Sequence, residues 1–289
     1  MSNLLRKTVG ATLVLGAGYL YLIAPRRKGK KAPNRAPFRV SYAHRGLHGA
    51  GVPENSMRAF AAAVEAGYGI ELDLQLSRDG KVMVFHDYNL DRMTGKNALL
   101  TDLDAEELRE LRLKCTDEPI PYFQEVLDLV RGRVPLLIEL KGESASDMRL
   151  CEKVANVLLT YEGPWCIESF NPMQLRWWKK NRPDVVRGQL VTNLTKKKDG
   201  TPSKKPVDYL LSAMLLNVFS RPDFIAADGR MKNPSVMLCD KVFGAERFVW
   251  TIRGNTARAE FLEKQQYPIF EYAVTDFRED AKEGNDDER

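Results

Sequence analysis

The sequence predicts an α/β fold, a TIM-type (β/α)8 barrel preceded by one N-terminal transmembrane helix. Two patterns predict the barrel. Short apolar runs alternate with helical patterns from residue 38 onward, and polar residues collect where those runs end. A third observation predicts the helix: residues 8–24, TVGATLVLGAGYLYLIA, carry no charge. The 289-residue length leaves room for one large domain behind such a segment, since barrels of this class run to about 250 residues around a single core.

Arg6 and Lys7 precede the apolar stretch, and Arg26, Arg27, Lys28, Lys30 and Lys31 follow it. Its length is at the short end of what spans a bilayer, roughly 17–25 residues. A cleaved signal peptide is the alternative, but no evident small-x-small cleavage site precedes a mature start. Residues 1–25 therefore read as a single-pass membrane anchor and 26–37 as a basic, Pro-containing linker. The Lys/Arg excess after the span biases that flank, and the domain behind it, towards the cytoplasm. Retention of Arg6 and Lys7 inside, with the barrel exported, is the opposite reading.

Strand-like runs follow at 38–43, 69–74, 81–86, 134–140, 165–169, 185–191, 223–228, 247–252 and 268–272. Helical patterns at 54–66, 121–131, 146–160, 172–181, 207–219, 234–242 and 255–265 separate most of them. Strands separated by helices imply βαβ units and a parallel sheet. The surplus strand is accommodated if one βα step of the barrel is replaced by an extra strand. A doubly wound open sheet is the alternative. It usually carries a Gly-rich phosphate loop after its first strand, whereas AHRGLHGAGVPEN at 43–55 contains no G-x-G-x-x-G. The barrel is expected over 38–276 and an acidic tail over 277–289.

With 44% hydrophobic and 29% charged residues the composition is ordinary for a globular chain. The net charge of +5 is a mild excess with clusters at 26–35 and 196–205. No RNA-binding or zinc-finger motif accompanies it, so nucleic acid is not an expected partner. Cys115, Cys151, Cys166 and Cys239 lack the short spacing of a zinc or redox pair. They read as buried free thiols in a reducing compartment.

A β/α barrel carries its catalytic groups at the C-terminal ends of its strands. Here the first run ends in His44-Arg45, the second carries Glu71 and Asp73, and the third ends in His86-Asp87. The next ends in Glu139-Leu140-Lys141, and later ones in Glu168-Ser169, Gln189, Asp228 and Trp250. Glu71 and Asp73 are two apart on a strand and so share a face. Adjacent carboxylates repel unless a cation lies between them. With Glu139 they make a hard, oxygen-only site suited to Mg²⁺ or Ca²⁺, and the pattern does not support an imidazole-rich zinc site.

The histidines are His44, His48 and His86. Two of them close strands and suit an acid/base pair near neutral pH. Arg45 and Lys141 are the nearest cations in the pattern; Arg can fork a phosphate and Lys acts as a point charge. Each residue taken singly also fits a bland role. An E-x-D can be a solvated face, Asp87 and Asp228 can be caps or loop anchors, and Trp250 can be barrel core.

The segments AHRG at 43–46, PENS at 53–56, AF at 59–60, ELDL at 71–74, DG at 79–80, VFHD at 84–87 and L-x-R-x-T at 90–94 closely resemble the glycerophosphodiester phosphodiesterase family. IELK at 138–141, SF at 169–170 and VWTI at 249–252 continue the likeness in order. It covers roughly residues 40–275. The resemblance implies a TIM barrel, one divalent cation, Mg²⁺ or Ca²⁺, and hydrolysis of glycerophosphodiesters to glycerol 3-phosphate and an alcohol. Position by position, Glu71, Asp73 and Glu139 match the metal ligands, and His44 and His86 match the acid/base pair. Arg45 and Lys141 match phosphate-contacting positions, and Trp250 matches a position lining the substrate pocket.

Glu54 falls in the motif's entry turn, with a structural role or one on the metal. Asn55 or Ser56 suits the cap of the following helix. The basic loop 195–206 and the apolar helix 207–219 depart from the family pattern. Two other readings accompany this one: a lysophospholipase D acting on membrane lysophospholipids, and a catalytically inactive, membrane-bound binding barrel.

Overall fold

The structure, a computed structural model, describes residues 3–27, 29, 32–49, 51–114, 116–142, 144–197 and 201–271. The acidic tail and Cys115 lie outside the described residues. The strands are β1 (Tyr42–Ala43), β2 (Gly69–Leu76), β3 (Val82–Val84), β4 (Leu136–Leu140), β5 (Trp165–Ser169), β6 (Arg187–Val191), β7 (Phe224–Asp228), β8 (Glu246–Arg253) and β9 (Gln266–Glu271). All but β3 run parallel and close into a ring, with β1 hydrogen-bonded to both β2 and β9. β3 lies antiparallel on β2 outside the ring. The eight-stranded barrel with one extra strand is thus the architecture the alternation predicts.

The helices are α1 (Asn3–Ile23), α2 (Met57–Glu65), α3 (Asp91–Thr94), α4 (Ala105–Glu110), α5 (Phe123–Val130), α6 (Arg149–Val157), α7 (Pro172–Asn181), α8 (Pro206–Ser212), α9 (Asn217–Ser220), α10 (Pro234–Lys241) and α11 (Asn255–Glu263). Strands covered on both faces need continuous apolar sequence, and LLIEL of β4 is buried throughout. Tyr42, Leu137, Cys166, Leu190, Phe224 and Phe248 pack into one cluster of the barrel core. Phe224 lies so close to β6 that a Cβ at Gly188 would stand 1.9 Å from its ring. Cys151, Cys166 and Cys239 are buried free thiols, as expected.

Three expectations change within the barrel domain. The first strand shrinks from 38–43 to β1, because Ala36–Phe38 turns as a 3-10 helix. Pro37 has no N–H for a ladder, and Phe38 joins the core cluster of Tyr42 and Leu137. The helix expected at 207–219 is split into α8 and α9, with Met214 between them at φ 59, a left-handed conformation that no right-handed helix continues through. Between β3 and α5 the chain forms α3 and α4, unforeseen, around a core of its own that includes Met83, Phe85, Leu90, Leu100 and Leu108.

The largest correction concerns the N-terminus. α1 forms over much of the apolar stretch, yet no helix among the described residues is long and apolar enough to cross a membrane. Arg6 and Lys7 fall inside its 21 residues. Its end is docked on the barrel wall. Ile23 is fully buried among Val191, Ile225 and Val236, Asn217 Nδ2 donates to the Ile23 carbonyl at 2.9 Å, and Tyr19 and Ser235 share a hydrogen bond at 2.8 Å.

Candidate active site

The site is built where β1, β2, β4 and β5 end. His44 directly follows β1, its N–H donating to the Phe270 carbonyl of β9 at 2.9 Å. The next residues turn sharply. Arg45 sits at φ 55 and Asn55 at φ 53, and the Asn55 N–H donates back to the Arg45 carbonyl at 2.9 Å. Only glycine fits at position 46, where φ is +77 and a Cβ would meet Ala59 at 2.8 Å. Ser56 then caps α2, its hydroxyl accepting from the Ala59 N–H. Asn55 does not cap; its Nδ2 donates to Asp73 Oδ2 at 2.8 Å.

Parallel pairing sets Asp73 of β2 beside Glu139 of β4, and Glu139 beside Glu168 of β5. Glu71, Asp73 and Glu139 are all buried. One oxygen from each lies within 4.8 Å of the others. Lys141 Nζ reaches Asp73 at 2.9 Å and Glu139 at 2.7 Å. The Arg45 main-chain N–H donates to Glu71 at 2.9 Å, and its Nε stands 3.6 Å from Asp73.

Burial, then repulsion from Asp73 and Glu139, holds the Glu71 carboxyl well above its ordinary range. Burial pushes Glu139 up to about 7 against the pull of Lys141. Asp73 is driven the other way: burial raises it, but Lys141, His86 and Arg45 outweigh that and hold it ionised. Buried carboxylates in excess over their cations are costly unless a further positive charge joins them. The donor set is oxygen only, so the residues fit a hard divalent cation.

Both strand-closing imidazoles are held by carboxylates. Glu271 Oε1 lies 2.8 Å from His44 Nδ1, leaving His44 Nε2 3.9 Å from Glu71. Arg253 in turn binds Glu271 at 2.8 Å. Asp87 lies 2.6 Å from His86 Nδ1. Arg92 joins Asp87 to Glu54, and Glu54 also accepts from Arg45 at 2.7 Å. Burial lowers the His86 pKa although Asp73 opposes it.

His44, Arg45, Glu71, His86, Glu139, Lys141 and Trp250 line one cavity of about 160 Å³. Asp73 lies behind them, tied to Lys141. The opposite wall is apolar, with Phe170 and Trp250 edge to face at 6.1 Å and Leu190 and Ile269 beside them. Asp228 anchors its loop through the Arg230 N–H. Gln189 is spent on the Ser169 and Phe170 carbonyls.

Sequence reasoning missed four participants or their partners. Glu168 is 1% exposed, lines the cavity and has an unpaired Oε2; it was visible as a strand-end carboxylate, without a role. Arg92 lies within a recognised motif, but nothing in its spacing links residues 54, 87 and 92. Glu271 falls in the last apolar run, far in sequence from His44. The fourth is His48. Its ring joins His44 and Glu271 with donor atoms within 4.8 Å of one another, an imidazole-rich cluster the sequence did not lead us to expect.

Fold and site together define a class: a TIM-type barrel whose mouth gathers carboxylates, imidazoles and cations. The chain belongs to the Glycerophosphoryl diester phosphodiesterase family, which it matches over residues 44–272. A glycerophosphodiester phosphodiesterase of Caldanaerobacter subterraneus is 37% identical over 158 residues, covering 51% of this chain and 65% of the relative. One from Bacillus altitudinis is 34% identical over 169 residues, 55% of this chain and 69% of the relative. An Oleispira antarctica phosphodiesterase, solved in complex with the product sn-glycerol-3-phosphate, aligns with a TM-score of 0.65 at 21% identity, over 80% of this chain and 92% of that one. A glycerophosphodiester phosphodiesterase from Thermotoga maritima aligns with a TM-score of 0.58 at 24% identity, over 80% and 94%. At these identities the structural likeness shows the fold.

Proposed function

We propose that this chain hydrolyses glycerophosphodiesters to glycerol 3-phosphate and an alcohol, with a divalent cation, Mg²⁺ or Ca²⁺, held by Glu71, Asp73 and Glu139. One observation carries the reading: three buried carboxylates have oxygens within 4.8 Å of one another, and two of them, Glu71 and Glu139, line a cavity with two carboxylate-held imidazoles, Arg45 and Lys141, while Asp73 stands behind Lys141. When bound, the cation neutralises phosphate oxygens and acidifies an attacking hydroxyl. Lys141 and Arg45 add fixed positive charge beside the phosphate, in a buried site where such charge counts most. His44 and His86 divide the proton transfers, one taking the nucleophile's proton and the other giving one to the leaving oxygen. Glu271 and Asp87 hold one nitrogen of each ring, which turns the other towards the cavity. Phe170 and Trp250 cover the non-phosphate part of the substrate.

The cavity of about 160 Å³ suits a small deacylated head better than an acyl chain. A second cavity of about 470 Å³, sharing Lys141 and lined by Leu76, Tyr88 and Leu99, adjoins it and keeps a lysophospholipase D reading in play. The full chain, assayed on glycerophosphocholine beside lysophosphatidylcholine, decides between them. Release of glycerol 3-phosphate from the first is expected. Lysophosphatidate from the second, with the first inert, would reverse the assignment. No hydrolysis of either would favour the inactive binding barrel.

We also propose that the barrel faces the cytoplasm and that α1 rests on a membrane surface instead of crossing it. Leu13, Val14 and Leu15 are exposed on α1, and the linker after it is basic, a combination that favours anionic headgroups. Flotation with anionic vesicles but not with zwitterionic ones is expected. Absence from both would contradict it, and digestion of the barrel by protease added to intact cells would reverse the sidedness.

A further inference from the structure

The outer side of the candidate site holds a cluster that the proposed hydrolysis leaves unexplained. His44, His48 and Glu271 bring two imidazoles and a carboxylate within 4.8 Å of one another. The His48 Nε2 is buried without a hydrogen-bond partner, although burying an imidazole nitrogen unpaired is costly. Glu271 is fixed from behind by Arg253 and kept ionised, down at about 2, first by its bond to His44. Burial lowers the His48 pKa, against the pull of Glu271 and Glu54, which favours the neutral ring that ligates metals.

Two imidazoles and one carboxylate are the donor set of a borderline ion, unlike the all-oxygen set of Glu71, Asp73 and Glu139. We propose that His44, His48 and Glu271 form a second metal site, for a divalent transition ion of the zinc type, whose occupancy inhibits hydrolysis by withdrawing His44. The metal binding stands on the geometry alone; the inhibition rests on the proposed role of His44.

Zinc bonds of about 2.0–2.1 Å space tetrahedral donors by roughly 3.3–3.5 Å, so the His48 arm closes in on binding. His48 sits in a turn where Gly49 and Val52 are bridged, and a cavity of about 410 Å³ that His48 lines provides a way in. The ion takes the place of the proton between His44 Nδ1 and Glu271, which is released to solvent. Mg²⁺ does not compete, because it prefers oxygen ligands and six-fold geometry.

The experiment is equilibrium dialysis of the full chain against Zn²⁺ under saturating Mg²⁺, with bound zinc read by metal analysis. Wild type, Glu139→Gln and His48→Ala are compared. One zinc per chain is expected in wild type and in Glu139→Gln, with at least roughly ten-fold weaker binding in His48→Ala. Zinc should inhibit hydrolysis in wild type and do so at least ten-fold less readily in His48→Ala. The Mg²⁺-supported rate of His48→Ala reports that it folds, and His48→Gln, closer in size, should lose zinc equally. Equal zinc binding by wild type and His48→Ala would overturn the site, as would loss of zinc in Glu139→Gln. Zinc bound at the site without inhibition would overturn only the role given to His44.

Discussion

The two ends of the barrel each bury a cluster of ions, and the clusters are opposites. At the C-terminal ends of the strands Glu71, Asp73, Glu139 and Glu168 face Lys141 and Arg45, with carboxylates in excess around a cavity. Just before β7, Asp223 is fully buried against Arg35 at 3.0 Å, Arg26 at 3.5 Å and Arg187 at 4.0 Å. There guanidiniums are in excess. One further donor of each binds a nearby carbonyl: Arg187 Nε reaches Ser220, Arg26 Nη2 reaches Pro183 and Arg35 Nη1 reaches the Asp223 carbonyl. The first cluster leaves charge for a ligand to answer, while the second ties the linker after α1 to the barrel. The difference is the division of labour of β/α barrels, chemistry at one face and stability at the other.

The largest effects on turnover are expected at the histidines. His44→Ala and His86→Ala should each lower turnover roughly 10²–10⁴-fold, the usual worth of acid–base catalysis, with melting temperatures close to wild type. Equal, severe loss in His48→Ala under Mg²⁺ alone would mean the pair is wrongly chosen. Asp223→Ala should do the reverse. Leaving the arginines unanswered should cost about 3–5 kcal/mol of stability, read by urea unfolding, while turnover per folded molecule holds.

Glu271→Gln sharpens the picture within the mouth. It should cut turnover by about 10–100-fold, as loss of a partner that orients a functional imidazole does in metal sites, and should displace the pH profile. An unchanged profile would make Glu271 structural only. The smallest effect is on melting. Metal-free, Glu139 binds its proton up to about 7, above the ordinary carboxylate range of about 4.3. A carboxyl raised on folding favours the fold below its unfolded pKa and loses that contribution as pH rises through the folded value. The metal-free melting temperature should therefore fall between pH 5 and pH 8, and Mg²⁺ should raise it more at pH 8. The expected scale is on the order of 2–4 °C per kcal/mol. Equal Mg²⁺ shifts at both pH values would argue against carboxylate ligation.

Much of the mouth was legible because strand geometry writes it locally. The two-residue spacing of Glu71 and Asp73, and the strand-end positions of His44, His86 and Lys141, follow from period-2 alternation and the barrel's polarity. Contacts that span the chain were not legible. His44 with Glu271, Arg92 with Glu54, and Asp223 with Arg35 depend on ring closure and on loop paths that no local period encodes. The N-terminus misled for a related reason. An uncharged stretch reads as a span, but Arg6 and Lys7 lie within α1 and its end packs on α9 through Asn217, a tertiary contact invisible in hydropathy.

The most direct test is glycerol 3-phosphate release from glycerophosphocholine by the full chain, before and after exhaustive chelation, and again after Mg²⁺ or Ca²⁺ is restored. Activity should vanish on chelation and return with the cation in wild type, but not in Glu71→Gln or Glu139→Gln. Undiminished turnover after chelation would contradict the account of the carboxylate-rich mouth.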